Sequence, residues 1–143
     1  MSNKLMGAAA IILDSDGRVL LVKHSYGKLN WDLPGGKSEA DESAQETARR
    51  EVQEETGLEV EVGPLTGIYY DPHYDMHHFV FLSSNANDQV PIPSSPEILE
   101  CGYFSIDDLP TPMSDFTYNR IQDALKLEGR PPFHTIGPRQ WIE

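Results

Sequence analysis

Gly36-Lys-Ser-Glu-Ala-Asp-Glu42-Ser-Ala-Gln-Glu-Thr-Ala-Arg-Arg50-Glu51-Val52-Gln-Glu54-Glu55-Thr-Gly57-Leu58 is the stretch on which the fold and the chemistry turn. Its composition predicts a helix from Ser43 to Thr56. No Pro or Gly interrupts that segment, and it holds many good helix formers. Ser43 is placed to cap the first turn, and Glu46 three residues on completes a capping box. Gly57 follows the last turn, where a left-handed residue commonly stops a helix. On such a helix Glu51, Glu54 and Glu55 stand at i, i+3 and i+4 and share one face. Three carboxylates so close repel one another, and they sit late in the helix, where the macrodipole disfavours anions. A hard divalent cation would offset that repulsion, because such ions prefer carboxylate oxygens and complete their shells with substrate phosphates. A solvated acidic face is the plain alternative. Arg49 and Arg50, together with the Gly-rich loop ahead of the helix, weigh against it, since local rules broken in one place often mark a functional site.

The stretch resembles the Nudix box, the signature of the MutT-like Nudix hydrolase family. That pattern runs Gly, five residues, Glu, seven residues, Arg-Glu, an aliphatic, any residue, Glu-Glu, any residue, Gly, an aliphatic. Gly36, Glu42, Arg50, Glu51, Val52, Glu54, Glu55, Gly57 and Leu58 fill every specified position. Chance agreement in a chain this long is on the order of one in a million. The approach from Trp31 to Gly36 and the later Tyr103-Phe104 extend the resemblance to residues 5–110 or so.

The resemblance implies an α/β fold, the Nudix α/β/α sandwich with a mixed central sheet, as a single domain over 1–143. It implies a Mg²⁺-dependent hydrolase, with Mn²⁺ as a substitute ion. The reaction would be attack of water on a diphosphate bridge, helped by metal that acidifies the water and neutralises the oxygens. The expected substrate is a nucleoside diphosphate linked to another group, such as a dinucleoside polyphosphate, ADP-ribose or a nucleotide sugar. Glu51, Glu54 and Glu55 are the expected metal ligands and catalytic carboxylates, with Glu51 the first choice of general base. The Gly35 carbonyl is a further expected ligand. Gly36, Glu42 and Arg50 are expected to support them, Arg50 by holding a carboxylate. A downstream acidic ligand is expected at Glu97 or Glu100, and the choice between them stays open. Two alternatives remain: a nucleoside triphosphate pyrophosphohydrolase that sanitises the nucleotide pool, and a catalytically silent nucleotide-sensing domain. The intact carboxylate set weighs against the silent one.

Outward from the box, Ala8 to Leu13 and Arg18 to His24 are apolar runs joined by Asp14-Ser15-Asp16-Gly17, which predicts a β-hairpin. Trp31 to Leu33 reads as a short strand ended by Pro34-Gly35-Gly36, with a polar loop from Ser38 to Glu42. Leu58 to Val62, Leu65 to Tyr70, His78 to Ser83 and Leu99 to Ser105 read as strands. Asp115 to Glu128 reads as a second helix with Phe116, Ile121, Leu125 and Leu127 facing the core. Arg130-Pro131-Pro132 breaks it. Trp141 and Ile142 predict that the tail from Phe133 docks.

The chain of 143 residues carries 23 acidic and 11 basic side chains, a formal charge of −12. Such a surface repels phosphate backbones and argues against a nucleic-acid polymer as partner. A small nucleotide or related diphosphate remains compatible, because a bound cation reverses the sign that the substrate meets. Cys101 is the only cysteine, so no intramolecular disulfide forms and a cytoplasmic setting is the simpler expectation. It reads as a buried or half-buried structural thiol. The apolar run Leu5 to Leu13 is too short to span a bilayer, so no membrane partner is expected. A homodimer is left open.

Selectivity must come from outside the box. Tyr69, Tyr70, His73, Tyr74, His77 and His78 crowd the stretch around Asp71-Pro72. No cysteine accompanies them and their spacing is not a zinc pattern. Aromatic rings stack well on bases, so Tyr70, His73 and Tyr74 are candidate substrate contacts, with Lys37 for phosphate. Diadenosine polyphosphate hydrolases of the family carry a Tyr in the region of Tyr74. ADP-ribose pyrophosphatases carry a Pro nearby, and Pro72 lies slightly early for it. If Tyr74 is not the selector, Tyr26 to Asn30 and the tail around Trp141 come next. Gly35-Gly36-Lys37-Ser38 mimics the end of a P-loop, but Trp31 stands where that motif needs Gly.

Overall fold

The structure is a computed structural model that describes residues 4–85 and 87–143. The run Leu5–Ile12 lacks polar alternation because both faces of the strand it forms, β1, are covered. Ala10 and Ile12 pack with Leu20, Val52 and Leu58, and Ala8 packs with Ala48 and Phe81. Ala9 and Ile11, on the opposite face, pack with Val19, Leu21, Phe116 and Ile121.

The remaining elements follow in chain order: β2 (Val19–His24), β3 (Trp31–Asp32), β4 (Gly35–Lys37), α1 (Ala44–Thr56), β5 (Glu61–Asp71), β6 (Met76–Ser84), β7 (Ile98–Phe104), β8 (Met113–Ser114), α2 (Asp115–Leu125), β9 (Phe133–Thr135) and β10 (Trp141–Ile142). One sheet has the order β4-β1-β6-β5-β9, and the other β10-β8-β3-β2-β7. Both are mixed: β1 runs parallel to β6 and antiparallel to β4, and β3 runs parallel to β8 and antiparallel to β2. Helix α1 covers one face of β1 through Ala48 and Val52, and α2 covers the other through Phe116 and Ile121. The α/β fold with mixed pairing is as expected, although the strands divide between two sheets instead of sharing one.

The expected β1–β2 hairpin does not form. Its turn is present: the Asp14 carboxylate accepts the N–H groups of Asp16 and Arg18, and Gly17 has φ 76°. Beyond one bridge between Leu13 and Val19 the strands part into different sheets. Each is a central strand whose two edges are already taken, β1 by β4 and β6, β2 by β3 and β7. The two strands expected over Leu58–Val62 and Leu65–Tyr70 are instead one, β5, which starts at Glu61. Register shifts around Val62, Leu65 and Gly67 absorb Gly63 and Pro64. Helix α2 ends at Leu125, earlier than expected, and Leu125 is exposed. Ala124 takes the inward position there. The tail docks: β9 adds parallel to β5, and β10 pairs with β8. Cys101 is half-buried, and burial pushes its thiol pKa up. Among the described residues no helix is long and apolar enough to cross a membrane.

Candidate active site

Helix α1 starts and stops where its caps dictate. The Ser43 hydroxyl accepts from the Glu46 N–H at 3.1 Å, Glu46 returns the bond to the Ser43 N–H at 3.1 Å, and Gly57 takes φ 75°. This fixes the rotation of the helix and so the direction of its carboxylates. Arg50 ties them together. Its Nε and Nη2 donate to the two oxygens of Glu42 at 2.7 and 3.0 Å. Its Nη1 donates to Glu51 at 3.0 Å and to Glu54 at 3.1 Å, and Nη2 also reaches the Lys37 carbonyl at 3.0 Å. The Arg50 guanidinium holds the Glu42 carboxyl down to about 2, assisted by the N–H of Glu39.

The three expected ligands do not share one environment. Glu54 is exposed and faces Arg50, whereas Glu55 is buried and Glu51 largely so. Burial pushes the Glu55 carboxyl up to about 9, with the neighbouring charge of Glu51 adding to it. Burial also raises Glu51. The Gly35 N–H donates to Glu55 at 3.2 Å. A β-carbon on Gly36 would lie 2.6 Å from the Glu51 carboxylate, so only glycine leaves that carboxylate its place. The Pro34 carbonyl accepts from the Ala10 N–H at 3.0 Å. By the alternation of an antiparallel ladder, the Gly35 carbonyl then points away from β1. Among the described residues no group of three or more His, Cys, Asp or Glu side chains converges. Two desolvated carboxylates beside a free backbone carbonyl are nonetheless an all-oxygen donor set that fits a hard divalent cation.

Gly35, Gly36 and Lys37 also border a cavity of about 790 Å³. His73 and Tyr74 line it. Tyr70 is not in its lining; its phenol donates to Asp75 at 2.7 Å. Neither Glu97 nor Glu100 lines it. Glu97 is on the site's side: its carbonyl accepts from the Ser25 N–H at 2.8 Å, next to Tyr26 in the cavity wall, and the Tyr26 phenol is pushed up to about 12 by burial and then by the charges of Glu97, Asp32, Glu55 and Glu51. Glu100 pairs with Lys23 at 3.7 Å. The regions named as second choices for selectivity contribute Tyr26, Asn30 and Trp141 to the wall.

The cavity also holds residues that the sequence reading missed. Arg120 is buried, donates to Asp32 at 2.8 Å, and lies 3.9 Å over the Phe116 ring. Arg139 donates to Asp71 at 3.2 Å and lies 4.5 Å over the same ring. Burial, with the two guanidiniums adding to it, pushes the His78 imidazole down to about 4. Its Nε2 is shut off from solvent without a partner among the described residues. One signal was legible: Arg120 stands four residues after Phe116 and one before Ile121, a charge on the apolar face of a helix.

Glu51, Glu54 and Glu55 do not line the cavity; Glu51 and Glu55 lie against Gly36 and Gly35, which do. This capped loop–helix–loop beside a cavity between two sheets has the architecture of a Nudix-type protein. A sequence model of the NUDIX domain matches residues 3–124, and the chain belongs to the NUDIX family. It is 31% identical over 124 residues to a MutT-like protein of Streptomyces ambofaciens, covering 87% of this chain and 79% of that protein. It is 30% identical over 103 residues to an ADP-ribose pyrophosphatase of Methanocaldococcus jannaschii, covering 69% of this chain and 61% of that protein. The crystal structure of an ADP-ribose pyrophosphatase from Streptococcus suis aligns with a TM-score of 0.73 at 25% identity, covering 92% of this chain and 99% of that one. The chain spans between 55% and 79% of the length of three curated relatives that it matches. Hydrolases of this family generally use divalent metal ions.

Proposed function

We propose that the chain hydrolyses the diphosphate linkage of a nucleoside diphosphate joined to another moiety, with Mg²⁺ or Mn²⁺ as cofactor. The observation that carries this reading is the desolvated pair Glu51 and Glu55, set against Gly36 and Gly35, which border the cavity. Glu51, Glu54, Glu55 and the Gly35 carbonyl would hold the ion, with Glu97 the better placed of the two downstream carboxylates. A bound ion would acidify the attacking water and offset phosphate charge.

The chain's own residues do the rest. Glu51 takes the water's proton, its raised pKa bringing it nearer the working pH. Arg50, anchored on Glu42 through two hydrogen bonds, keeps Glu51 and Glu54 in place. Gly36 leaves room for the Glu51 carboxylate, and Lys37 meets substrate phosphate. His73 and Tyr74 contact the attached group, and Tyr70 braces their turn through Asp75. The reaction would run in a cytoplasmic, reducing setting, within one domain over 1–143.

The names of the two ADP-ribose pyrophosphatase relatives favour a linked nucleoside diphosphate. A Bacillus subtilis relative named as a putative 8-oxo-dGTP diphosphatase, 39% identical over 83 residues, keeps nucleoside triphosphate pyrophosphohydrolysis as the second reading. The test is a panel of ADP-ribose, dinucleoside polyphosphates, nucleotide sugars and nucleoside triphosphates, with product masses read. Turnover that vanishes in EDTA and returns with Mg²⁺ is expected. Full turnover in chelator, or no turnover of any diphosphate, would overturn the reading.

A further inference from the structure

The cavity is closed on one side by the chain's own tail. The Ile136 N–H donates to the Tyr70 carbonyl at 2.8 Å, tying the tail to the sheet of β5. Three residues on, Arg139 is tied to Asp71, at the end of the same strand. The Gln140 carbonyl accepts from the Asp115 N–H at 2.8 Å, and Trp141 pairs with Ser114 in the other sheet. The span from Ile136 to Trp141 therefore crosses from one sheet to the other, and Ile136, Gly137, Pro138, Arg139 and Trp141 all face the cavity. It lies beyond residue 124, where the NUDIX match ends.

The charges at this end cancel. Arg120 is committed to Asp32 and Arg139 to Asp71. What remains is the exposed part of the Arg139 guanidinium, planar and backed by Phe116, with the rings of Tyr26, Tyr74 and Trp141 in the same cavity wall; such a wall suits an uncharged ring with acceptor atoms better than a second phosphate. Among the described residues the lining cation without an ion pair is Lys37, and it stands by the carboxylate helix, where phosphate belongs.

We infer that Ile136–Trp141 is a specificity wall supplied by the tail, and that Arg139 within it positions the nucleobase of the substrate beside Phe116. The inference rests on the proposed reading of the site as nucleotide-directed. Arg139 touches no reacting group in this scheme; it acts on where the base lies.

Two experiments test it. In the first, hydrogen exchange is followed on the wild-type chain with millimolar nucleoside 5′-monophosphates carrying each of four bases, and with ribose 5-phosphate. Slowed exchange over 136–141 is expected with at least one nucleotide and not with the base-free sugar. Equal effects from the sugar, or no effect from any nucleotide, overturn the wall. In the second, Arg139→Ala and Arg139→Lys are compared on the preferred nucleotide substrate and on inorganic triphosphate. Arg139→Ala should raise KM for the nucleotide about tenfold with little change in kcat. Inorganic triphosphate, which has no base, should lose much less in kcat/KM, and Lys should restore part of the loss. A loss shared equally by triphosphate would assign Arg139 a general structural role and refute the inference. Should the wild type cleave no diphosphate, the proposed function falls, while hydrogen exchange still decides the wall.

Discussion

Replacing Gly36 by Ala should cost activity and leave the fold standing. A β-carbon built there lies 2.6 Å from both Cδ and Oε1 of Glu51, and 2.8 Å from Oε2. Carbon atoms settle about 3.5–4 Å apart, so the carboxylate must withdraw by about 1 Å. It can do so cheaply for the fold, because it is the tip of a flexible side chain. It cannot do so cheaply for the chemistry, since about 1 Å of misplacement costs on the order of 100-fold in rate. The expected result is a kcat lowered about 100-fold, equivalent to about 2.7 kcal/mol, with KM within a few-fold and Tm within a few degrees. Gly35→Ala is the contrast. There the β-carbon meets the Ala8 carbonyl oxygen at 2.5 Å and the Ala9 Cα at 2.8 Å, backbone of a buried central strand that cannot step aside. Overpacking of that kind costs about 1–3 kcal/mol, or roughly 3–10 °C in Tm for a chain of this size. Mg²⁺-dependent turnover and thermal melts read both variants. A fully active Gly36→Ala, or one that melts below Gly35→Ala, would refute the premise that Glu51 needs the space glycine leaves.

Glu54→Gln and Glu55→Gln should each cut turnover by orders of magnitude, as loss of an ion ligand does. Neither should lower the metal-free Tm much: burial already drives the Glu55 carboxyl to its neutral form, which Gln mimics, and Glu54→Gln gives up only an exposed contact with Arg50 while easing repulsion on α1; a large drop would give them a structural role instead. His78 is held from 6.5 down to about 4, mainly by burial, so its contribution to stability is complete above pH 6.5 and is lost as pH falls through 4. That window is worth about 3 kcal/mol, and His78→Phe should flatten it in urea titrations run from pH 7 to 4. An unchanged slope would show that the imidazole titrates alike in folded and unfolded chains. Tyr74→Ala should change the ratio of kcat/KM between a dinucleoside polyphosphate and ADP-ribose by ten- to a hundredfold, the loss of a stacking contact worth about 1–3 kcal/mol. Equal falls for both substrates would remove Tyr74 as a selector.

Local signals carried the sequence reading as far as local physics reaches. Ser43, Glu46 and Gly57 fix α1 through contacts within a few residues, and they do so in the structure as their types predict. The β1–β2 pairing failed because the turn is local whereas sheet membership is not: Gly36 and Phe79 take the two edges of Ala8, and the sequence around Asp14 is silent about them. The sequence offers both Tyr70 and Tyr74 as substrate contacts, with Tyr74 the first choice. Their difference comes from Asp75, which takes the Tyr70 hydroxyl and the Lys4 ammonium together. The cavity floor was the least legible part. Asp32 and Arg120 are 88 positions apart, and Asp71 and Arg139 are 68 apart. No periodicity joins such pairs; only the folded sheets do.

The Phe116 ring gives those two ion pairs a mechanical meaning. One guanidinium on it is fastened to β3 through Asp32, and the other to the end of β5 through Asp71. These strands belong to different sheets. The ring and its two arginines therefore act as a tie-rod across the gap between the sheets. The width of that gap and the grip of the floor become a single variable. A bulkier ring wedged into the gap must stretch one end of the rod or the other, so tolerance for oversized bases and stiffness of the scaffold should rise and fall in opposite directions.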